Sequence, residues 1–367
     1  KLINSHKIPF AVISGKFDKE SYSVESKLFN PDVDLVLNCD KIKMDHLLLN
    51  DKNFKIMSDD LIFDIQLNLR VDLYFRSINV GYYHFLVPNS DSYKVQKLKE
   101  EDCFNTLKKS YECGINIFDT SPLYGYGLSE HRLGNFLKSI NRKDFYISTK
   151  VGRYLSPEKE ENIDRGIFKG GLTFKPTLDY SYDGVMKSFE QSLLRLGLSQ
   201  IDICLIHDVD RFNHGDKVEH YFKQAMEGAY KALNELKDQK VIQAIGVGVN
   251  EAEMCAKFAE EGDFDCMVLA GRYTLLEQGA LDSFFPIAEK KNIGIILAGV
   301  FNSGVLVKGV NENSTYDYGK IPDKIKSKYF EIDKICKEFN IPIAAAALQF
   351  CNANDLISTM ILGMDKP

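Results

Sequence analysis

The stretch SYDGVMKSFEQSLLRLGLSQIDICLIH, residues 181–207, contains the two kinds of segment from which the fold of this chain is inferred. Its first part places apolar side chains at helical spacing, which predicts one stripe of an amphipathic helix: Val185, Phe189, Leu193, Leu194 and Leu196. Its second part, residues 201–207, is short and mostly apolar, as is typical of a strand buried on both faces. A helix followed by such a strand indicates a parallel sheet covered by helices.

The same alternation continues from about residue 100 to the end of the chain. Apolar strand-like runs occur at 115–119, 145–150, 201–207, 241–247, 265–270, 293–298 and 357–362, and a weaker one at 78–87. Amphipathic segments lie between them, among them 219–237, 251–261, 280–291 and 322–339. Eight strands fit a closed (β/α)8 TIM barrel better than an open doubly wound sheet. We therefore predict an α/β fold with this barrel at residues 77–367, truncated after the eighth strand.

The first 76 residues have a different pattern. Only two of the 25 glycines lie before residue 100, and residues 61–75 carry an apolar side chain at every odd position. Residues 32–37 alternate in a similar way. Because period-two alternation is typical of strands that cover a core on one face, residues 1–76 are predicted to be a β-rich α+β accessory region.

Composition excludes several classes of protein. Hydrophobic residues make up 44% and charged residues 27%, which is typical of a globular chain and excludes a collagen-like, coiled-coil or disordered one. A net charge of -6 without a run of five basic residues predicts no nucleic-acid partner. The longest apolar stretch is too short to span a bilayer, and no signal peptide is recognised, so no membrane partner is expected. Eight cysteines without a C-x-x-C pair predict buried thiols in the cytoplasm and no metal site.

The glycine-rich stretches do not match a nucleotide-binding fingerprint. In Gly125-Tyr126-Gly127 the third glycine of G-x-G-x-x-G is replaced by Glu130, and in Gly246-Val247-Gly248 by Glu251. A phosphate-binding G-x-x-x-x-G-K-[ST] sequence does not occur either. A nicotinamide cofactor would therefore not bind in the Rossmann manner.

Three ionisable side chains end predicted strands, at the face where a parallel barrel carries its catalytic groups. They are Asp119, Lys150 and His207, and Tyr124 follows on the loop after Asp119. A phenol has an ordinary pKa of about 10. A nearby ammonium lowers that pKa, a carboxylate keeps the ammonium charged, and a histidine can orient a substrate oxygen. Each residue alone also has a structural explanation, so the prediction of an acid–base site rests on the set.

These four residues lie in motifs that resemble the aldo-keto reductase superfamily, over about residues 77–367. The matching motifs are FDTSPLYG at 118–125, STKVG at 148–152 and LIH at 205–207. The chain looks most like the branch that contains L-fucose and L-galactose dehydrogenases (aldose 1-dehydrogenases) and pyridoxal 4-dehydrogenase. The stretches that support the branch are SLLRLGL at 192–198, HDVD at 207–210, AGRYTLLEQ at 270–278 and FNSG at 301–304.

The resemblance implies a TIM barrel with NAD or NADP extended across its mouth. It also implies that Tyr124 transfers the proton, that Lys150 and Asp119 adjust the pKa of Tyr124, and that His207 orients the carbonyl. The implied substrate is a small sugar or a pyridoxal-type molecule, a cyclic hemiacetal oxidised to a lactone, or a carbonyl reduced in the reverse direction.

The resemblance further implies where the cofactor binds. Asn250 would hold the carboxamide. The residues that would meet the pyrophosphate are Asn302, Ser303 and Gly304, although N-S-G is also a common turn sequence. Arg272 and Tyr273 either border the nicotinamide or substrate, or only cap the sixth strand.

Two departures from the family pattern concern the first and last strands. The sequence Gly81-Tyr82-Tyr83-His84-Phe85 is bulky where the family has a small, glycine-rich start, and we expect it to narrow the mouth. Only residues 363–367 follow the eighth strand, where the family grips the adenosine end of the cofactor.

An alternative from another class assigns the activity to residues 1–76. Asp32, Asp34 and Asp72 faintly resemble the three carboxylates that hold two Mg²⁺ ions in nucleotidyltransferases. Asp32 and Asp34 would share one face of a strand. In this interpretation the barrel is an inactive scaffold. Solvent-side aspartates of an antiparallel sheet are the competing explanation.

Overall fold

In a computed structural model of the protein, the described residues are 99–164, 168, 170–312, 314–317 and 319–364, together with the backbone of several short strands before residue 99. The chain divides into two compact units, Lys1–Phe75 and Arg76–Pro367. Among the described residues, no helix combines the length and the apolar character that crossing a bilayer requires.

The described strands of the first unit pair in an antiparallel manner. Ala11–Ser14, Ser23–Leu28 and Asp34–Asn38 form a three-stranded sheet, and Leu47–Asn50 pairs with Asn53–Ile56. Strand Asp34–Asn38 lies in the region where the alternation of residues 32–37 predicted one. The alternating stretch at 61–75, Asp32 and Asp72 lie outside the described residues, so the nucleotidyl-transfer alternative stays a prediction.

Eight parallel strands of the second unit close into a barrel. In chain order they are β1 (Ile78–Gly81), β2 (Ile117–Asp119), β3 (Tyr146–Val151), β4 (Ile201–His207), β5 (Ile242–Val249), β6 (Cys266–Ala270), β7 (Gly294–Ala298) and β8 (Ile357–Gly363). Strand β1 pairs with both β2 and β8, which closes the ring. The predicted (β/α)8 barrel is confirmed, and each strand lies where an apolar run indicated it.

Helices connect the strands. The longer α-helices are Glu100–Glu112, Leu128–Leu137, Tyr182–Leu196, Val218–Gln224, Tyr230–Asp238, Ala252–Glu261, Phe285–Lys291, Asp323–Glu338 and Ile343–Asn352. A π-helical turn, Ala225–Ala229, joins two of them. Shorter helices are Arg211–His214, Ala280–Ser283 and Val305–Lys308, and small hairpins pair Arg153–Pro157 with Phe174–Leu178 and Thr315–Tyr316 with Gly319–Lys320.

The helix Tyr182–Leu196 shows how the sequence determines a helix and where the predicted stripe was wrong. Ser181 caps it by accepting a hydrogen bond from the Gly184 N–H, and Gly197 ends it with a φ of 67°. Of its apolar stripe, Val185, Phe189 and Leu196 are buried and Leu193 is partly buried, whereas Leu194 is 82% exposed. Leu194 lies nine residues after Val185, about two and a half turns, so it points to the opposite side.

Candidate active site

The first element of the site is a buried ion pair between two adjacent barrel strands. Lys150 Nζ donates to Asp119 Oδ2 at 2.6 Å and to the Thr120 carbonyl at 2.9 Å. Ser148 Oγ donates to Asp119 Oδ1 at 2.8 Å. Asp119 is 3% exposed and Lys150 is 2% exposed. Each carboxylate oxygen of Asp119 therefore has a donor, and Asp119 together with the Thr120 carbonyl holds the ammonium in one place.

Tyr124 lies next to this pair. The Lys150 Nζ is 4.7 Å from the centre of the Tyr124 ring, and its charge acts directly on the Tyr124 hydroxyl group. The Tyr124 and His207 rings are 5.7 Å apart, with an interplanar angle of 80°. The structure thus brings together all four predicted residues, the three at strand ends and Tyr124 on the loop after Asp119.

Burial and charge shift the pKa values of Tyr124 and Lys150 in opposite directions. Burial raises the pKa of Tyr124 above its usual value, and the Lys150 ammonium opposes that rise. Burial by itself would lower the pKa of Lys150, but the charges of Asp119 and Tyr124 outweigh it and the pKa is raised. Lys150 therefore stays a cation at neutral pH, and its charge favours a phenolate at Tyr124.

His207 is fixed from three sides. Its Nδ1 is 3.2 Å from Ser121 Oγ, and its Nε2 is 3.3 Å from Asp208 Oδ1. The Tyr180 hydroxyl donates to its backbone carbonyl at 2.6 Å. Both ring nitrogens thus have polar neighbours, which determine how the imidazole faces the site.

Asp208 is a site residue to which the sequence analysis gave no role. It follows β4, has a φ of 59°, and forms an ion pair with Arg153, with 3.0 Å between Nη1 and Oδ2. Burial raises the pKa of its carboxyl group, and Arg153 opposes the rise. The sequence signal for this residue is its position directly after the strand-end histidine, in the HDVD motif.

These residues line one cavity of about 510 Å³ at the carboxyl ends of the strands. Its lining includes Asp119, Tyr124, Lys150, His207, Asp208, Asn213 and Asn250. Apolar walls come from Leu123, Phe168, Phe212, Val249, Val268 and Ile361. A concave pocket of this size, mostly apolar with a few converging polar groups, is suited to a small organic ligand.

Of the residues predicted to bind the cofactor, Asn250 lies in the cavity wall. Its backbone N–H and its Nδ2 both donate to Asp210 Oδ2, at 2.9 and 3.1 Å. Arg272 Nε donates to the Asn250 carbonyl at 2.8 Å, and Arg272 Nη1 is 2.7 Å from Asp317 Oδ2. Arg272 therefore ties the loop after β5 to the Thr315–Lys320 region.

The other three predicted cofactor residues do not line this cavity. Asn302, Ser303 and Gly304 form a turn with φ values of 45°, 56° and 88°. Asn302 is buried, its Oδ1 accepting from Thr274 Oγ1 at 2.6 Å and its Nδ2 donating to the Gly271 carbonyl at 3.3 Å. The turn explanation of N-S-G thus describes their conformation, whereas the pyrophosphate role stays a prediction.

Tyr273, which follows Arg272 after the end of β6, is buried among aromatic side chains. Its ring centre is 4.8 Å from that of Phe285 and 5.2 Å from that of Phe350. These ring contacts give Tyr273 a packing role, and its contact with the cofactor or substrate stays a prediction.

The cavity fits a nicotinamide cofactor in one further respect. Small residues line it where β5, β6 and β7 end: Gly248, Ala270, Ala298 and Gly299. A Cβ at Gly248 would lie 3.6 Å from Lys150 Cε, so glycine leaves open a space directly beside the ion pair. Within the described part of the chain, no group of three or more His, Cys, Asp or Glu side chains is placed to hold a metal ion.

Comparison with known proteins agrees with this site. The profile of the aldo/keto reductase family matches residues 88–367. Pyridoxal 4-dehydrogenase of Microbacterium luteolum is 38% identical over 272 residues, 71% of this chain and 79% of that protein. D-threo-aldose 1-dehydrogenase of a Pseudomonas species is 34% identical over 275 residues, 74% of this chain and 81% of that protein.

A solved structure supports the fold. The glycerol dehydrogenase of Gluconobacter oxydans superposes with a TM-score of 0.58 at 22% identity, over 79% of this chain and 83% of that one. The two more similar relatives confirm the branch that the motifs predicted. Because the family profile covers most of the chain, including all four residues of the acid–base set, the chain belongs to the aldo/keto reductase family and is an NAD(P)-dependent oxidoreductase.

Proposed function

We propose that this protein oxidises the hemiacetal carbon of a cyclic aldose, or of cyclised pyridoxal, to a lactone, and reduces a carbonyl in the reverse direction. The observation that carries the proposal is the buried Lys150–Asp119 pair beside Tyr124, with His207 facing the same cavity. The names of the two relatives supply the substrate class, an aldose for one and pyridoxal for the other.

In this proposal Asn250 and the small residues at the ends of β5 to β7 would hold NAD or NADP, which would supply the acceptor for the hydride that leaves the anomeric carbon. Tyr124, as a phenolate, removes the proton of the anomeric hydroxyl group. Lys150 favours the phenolate because Asp119 keeps it charged. His207 orients the reacting oxygen by a hydrogen bond from its ring.

The remaining cavity wall is suited to a cyclic substrate. Leu123, Phe168 and Phe212 present apolar surface, and the ring face of a sugar or a pyridine can lie against such side chains. Asp208 and Asn213 add polar groups for hydroxyl substituents. The wall thus combines both kinds of contact that an aldose or pyridoxal needs.

The direct test is reduction of NAD and of NADP by the purified protein with L-fucose, L-galactose, D-arabinose and pyridoxal. Tyr124→Phe is the matched control because it removes only the hydroxyl group. We expect turnover with at least one substrate and a loss of about 10²- to 10⁴-fold in kcat for the variant, the usual contribution of a general acid–base group. A wild-type protein that binds cofactor and oxidises none of these substrates would contradict the proposal, as would a fully active variant.

We place the protein in the cytoplasm because the seven described cysteines are free thiols, six of them buried, as expected in a reducing compartment. We also propose that residues 1–76 are an accessory region and that residues 77–367 carry the oxidoreductase activity.

A further inference from the structure

We propose that Asp208 recognises the hydroxyl group on the carbon next to the reacting carbon, so that the enzyme selects aldoses with a C2 hydroxyl. This inference rests on the proposed oxidation of a hemiacetal. It adds a specificity-determining residue that lies outside the acid–base set.

The backbone places the Asp208 carboxylate beside the reacting groups. His207 pairs with Gly248 across β4 and β5, and the next N–H, that of Asp208, donates to the Gly248 carbonyl at 2.9 Å. The chain then turns with a φ of 59°, a left-handed conformation that Asp tolerates better than most residues. Asp208 thereby lines the cavity together with His207 and Tyr124.

The charged neighbours of Asp208 leave it able to accept another hydrogen bond. Arg153 faces Oδ2 at 3.0 Å, and His207 Nε2 faces Oδ1 at 3.3 Å. Lys150 and Asp210 also act on this carboxylate electrostatically. An ionised carboxylate has about four acceptor positions on its two oxygens. Oδ1 can therefore accept from a substrate hydroxyl while Arg153 holds Oδ2.

The short distance between Asp208 and His207 indicates which substrate hydroxyl Asp208 contacts. In the proposed reaction the oxygen on C1 accepts a hydrogen bond from His207. Oδ1 of Asp208 is 3.3 Å from the same ring nitrogen, Nε2. Oxygens on adjacent carbons of a sugar lie within hydrogen-bonding distance of one another, so the hydroxyl on C2 reaches Oδ1. The ring oxygen, which is also bound to C1, carries no proton to donate.

The expected consequence is discrimination against substrates without this hydroxyl. A hydrogen bond to a charged group corresponds to a preference of about 10- to 100-fold. A 2-deoxy sugar leaves the buried carboxylate without this donor, and we expect it to be disfavoured by that factor.

The test compares L-fucose with 2-deoxy-L-fucose in the wild type and in Asp208→Gly. Glycine adopts a positive φ without strain and removes the carboxylate. We expect the wild type to prefer L-fucose by about 10- to 100-fold in kcat/KM. In Asp208→Gly, kcat/KM for L-fucose should fall by that factor, whereas kcat/KM for 2-deoxy-L-fucose should stay the same. Asp208→Asn, which keeps the shape and the turn, should narrow the preference and provides a second variant if Asp208→Gly does not fold.

A binding measurement and a matched control separate this role from an effect on His207. Titration calorimetry with the two product lactones should show the same loss of preference in Kd. Ser121→Ala alters the other side of the imidazole without touching Asp208, so it should lower kcat/KM for both sugars by the same factor.

Three outcomes would overturn the inference, and they differ in what they say about the proposed function. If the Asp208 variants lower kcat/KM for both sugars by the same factor, Asp208 acts through His207 and does not recognise the C2 hydroxyl. If the wild type oxidises both sugars with equal kcat/KM, the proposed function stands and the role of Asp208 is wrong. If it oxidises neither sugar and binds neither lactone, the role of Asp208 in selecting aldoses is wrong, and the proposed function fails as well when pyridoxal is not oxidised either.

Discussion

Lys150 is the residue on whose charge the proposed proton transfer depends. It is almost fully buried, and burial alone would favour its neutral form. The Asp119 carboxylate at 2.6 Å reverses that preference. The site therefore holds a permanent cation against the Tyr124 ring, in a region where water does not screen it.

Replacing Lys150 with Met should move the pH dependence of oxidation toward higher pH. Oxidation needs the phenolate of Tyr124, so its rate rises with pH up to the pKa of that group. Lys150 lowers this pKa, while burial and the charge of Asp119 raise it. Without the ammonium the pKa of Tyr124 rises further, and kcat at neutral pH should fall by about 10²-fold or more. The measurement is kcat/KM from neutral to alkaline pH.

Two controls accompany this measurement. Asp119→Asn should act in the same direction but more weakly, because the lysine loses the partner that keeps it charged while the direct effect of the Asp119 carboxylate, which raises the pKa of Tyr124, is lost as well. A pH profile of Lys150→Met that overlays the wild-type profile would contradict a role of Lys150 in tuning Tyr124.

At the scale of single residues, the sequence predicted well the groups that follow from strand ends. Asp119, Lys150 and His207 end apolar runs, and parallel strands bring such positions to one face. It could not predict that the amide of Asn302 bonds to Thr274 and Gly271, or that the Asp208 carboxylate contacts the imidazole of His207. These contacts depend on the left-handed φ angles of Asn302 and Asp208, which no periodicity encodes.

Among the structural elements, the junction between β3 and the Arg153–Pro157 strand holds His207 indirectly. Gly152 has a φ of 107° at this junction, and a Cβ there would lie 2.3 Å from Tyr180 Cε1. The Tyr180 ring is fully buried, and its hydroxyl donates to the His207 carbonyl and lies 3.3 Å from His214 Nε2. The absence of a side chain at Gly152 thus lets Tyr180 reach the end of β4.

Gly152→Ala should destabilise the fold and disturb the active site together. The strained φ and the clash with Tyr180 predict a loss of about 2 kcal/mol or more in the free energy of unfolding. The displaced Tyr180 should lower kcat/KM as well. Tyr180→Phe is the control, since it keeps the ring and removes only the hydrogen bond, with an expected cost of about 1 kcal/mol. Urea unfolding measures the stability of each variant, and steady-state kinetics measures its kcat/KM. A Gly152→Ala variant as stable as the wild type would contradict the prediction, because the Tyr180 ring could then move aside.

At this scale the positions of the elements are predictable from the sequence, but their irregularities are not. Residues 219–237 were predicted as one amphipathic segment, yet a π-helical turn, Ala225–Ala229, interrupts it. A Cβ at Gly228 in that turn would lie 2.4 Å from the Tyr180 carbonyl. The irregularity brings the helix against a loop that is distant in sequence, and local propensity contains no signal for such a contact.

In the barrel as a whole, the predicted catalytic groups lie at the carboxyl ends of the strands, and a separate polar network lies at their amino ends. Asp202 and His207 belong to the same strand, five residues apart, which corresponds to roughly 16 Å. Asp202 is buried and accepts from the Ile147 N–H at 2.8 Å, from Arg142 Nη2 at 2.7 Å and from Gln243 Nε2 at 2.6 Å. One carboxylate thus joins β3, β4 and β5 where these strands begin.

Asp202→Ala should therefore lower stability and leave catalysis unchanged, the reverse of Tyr124→Phe. Removing the carboxylate leaves the buried Ile147 N–H without its acceptor and takes one hydrogen bond from the partly exposed Arg142 guanidinium, a loss of about 1–3 kcal/mol in the free energy of unfolding. In TIM barrels, groups at the amino ends of the strands support the fold, whereas those at the carboxyl ends react. Denaturant midpoints and kcat/KM for both variants, at a temperature where each is folded, measure the separation. Loss of kcat/KM in folded Asp202→Ala would mean that the two ends of the barrel are coupled.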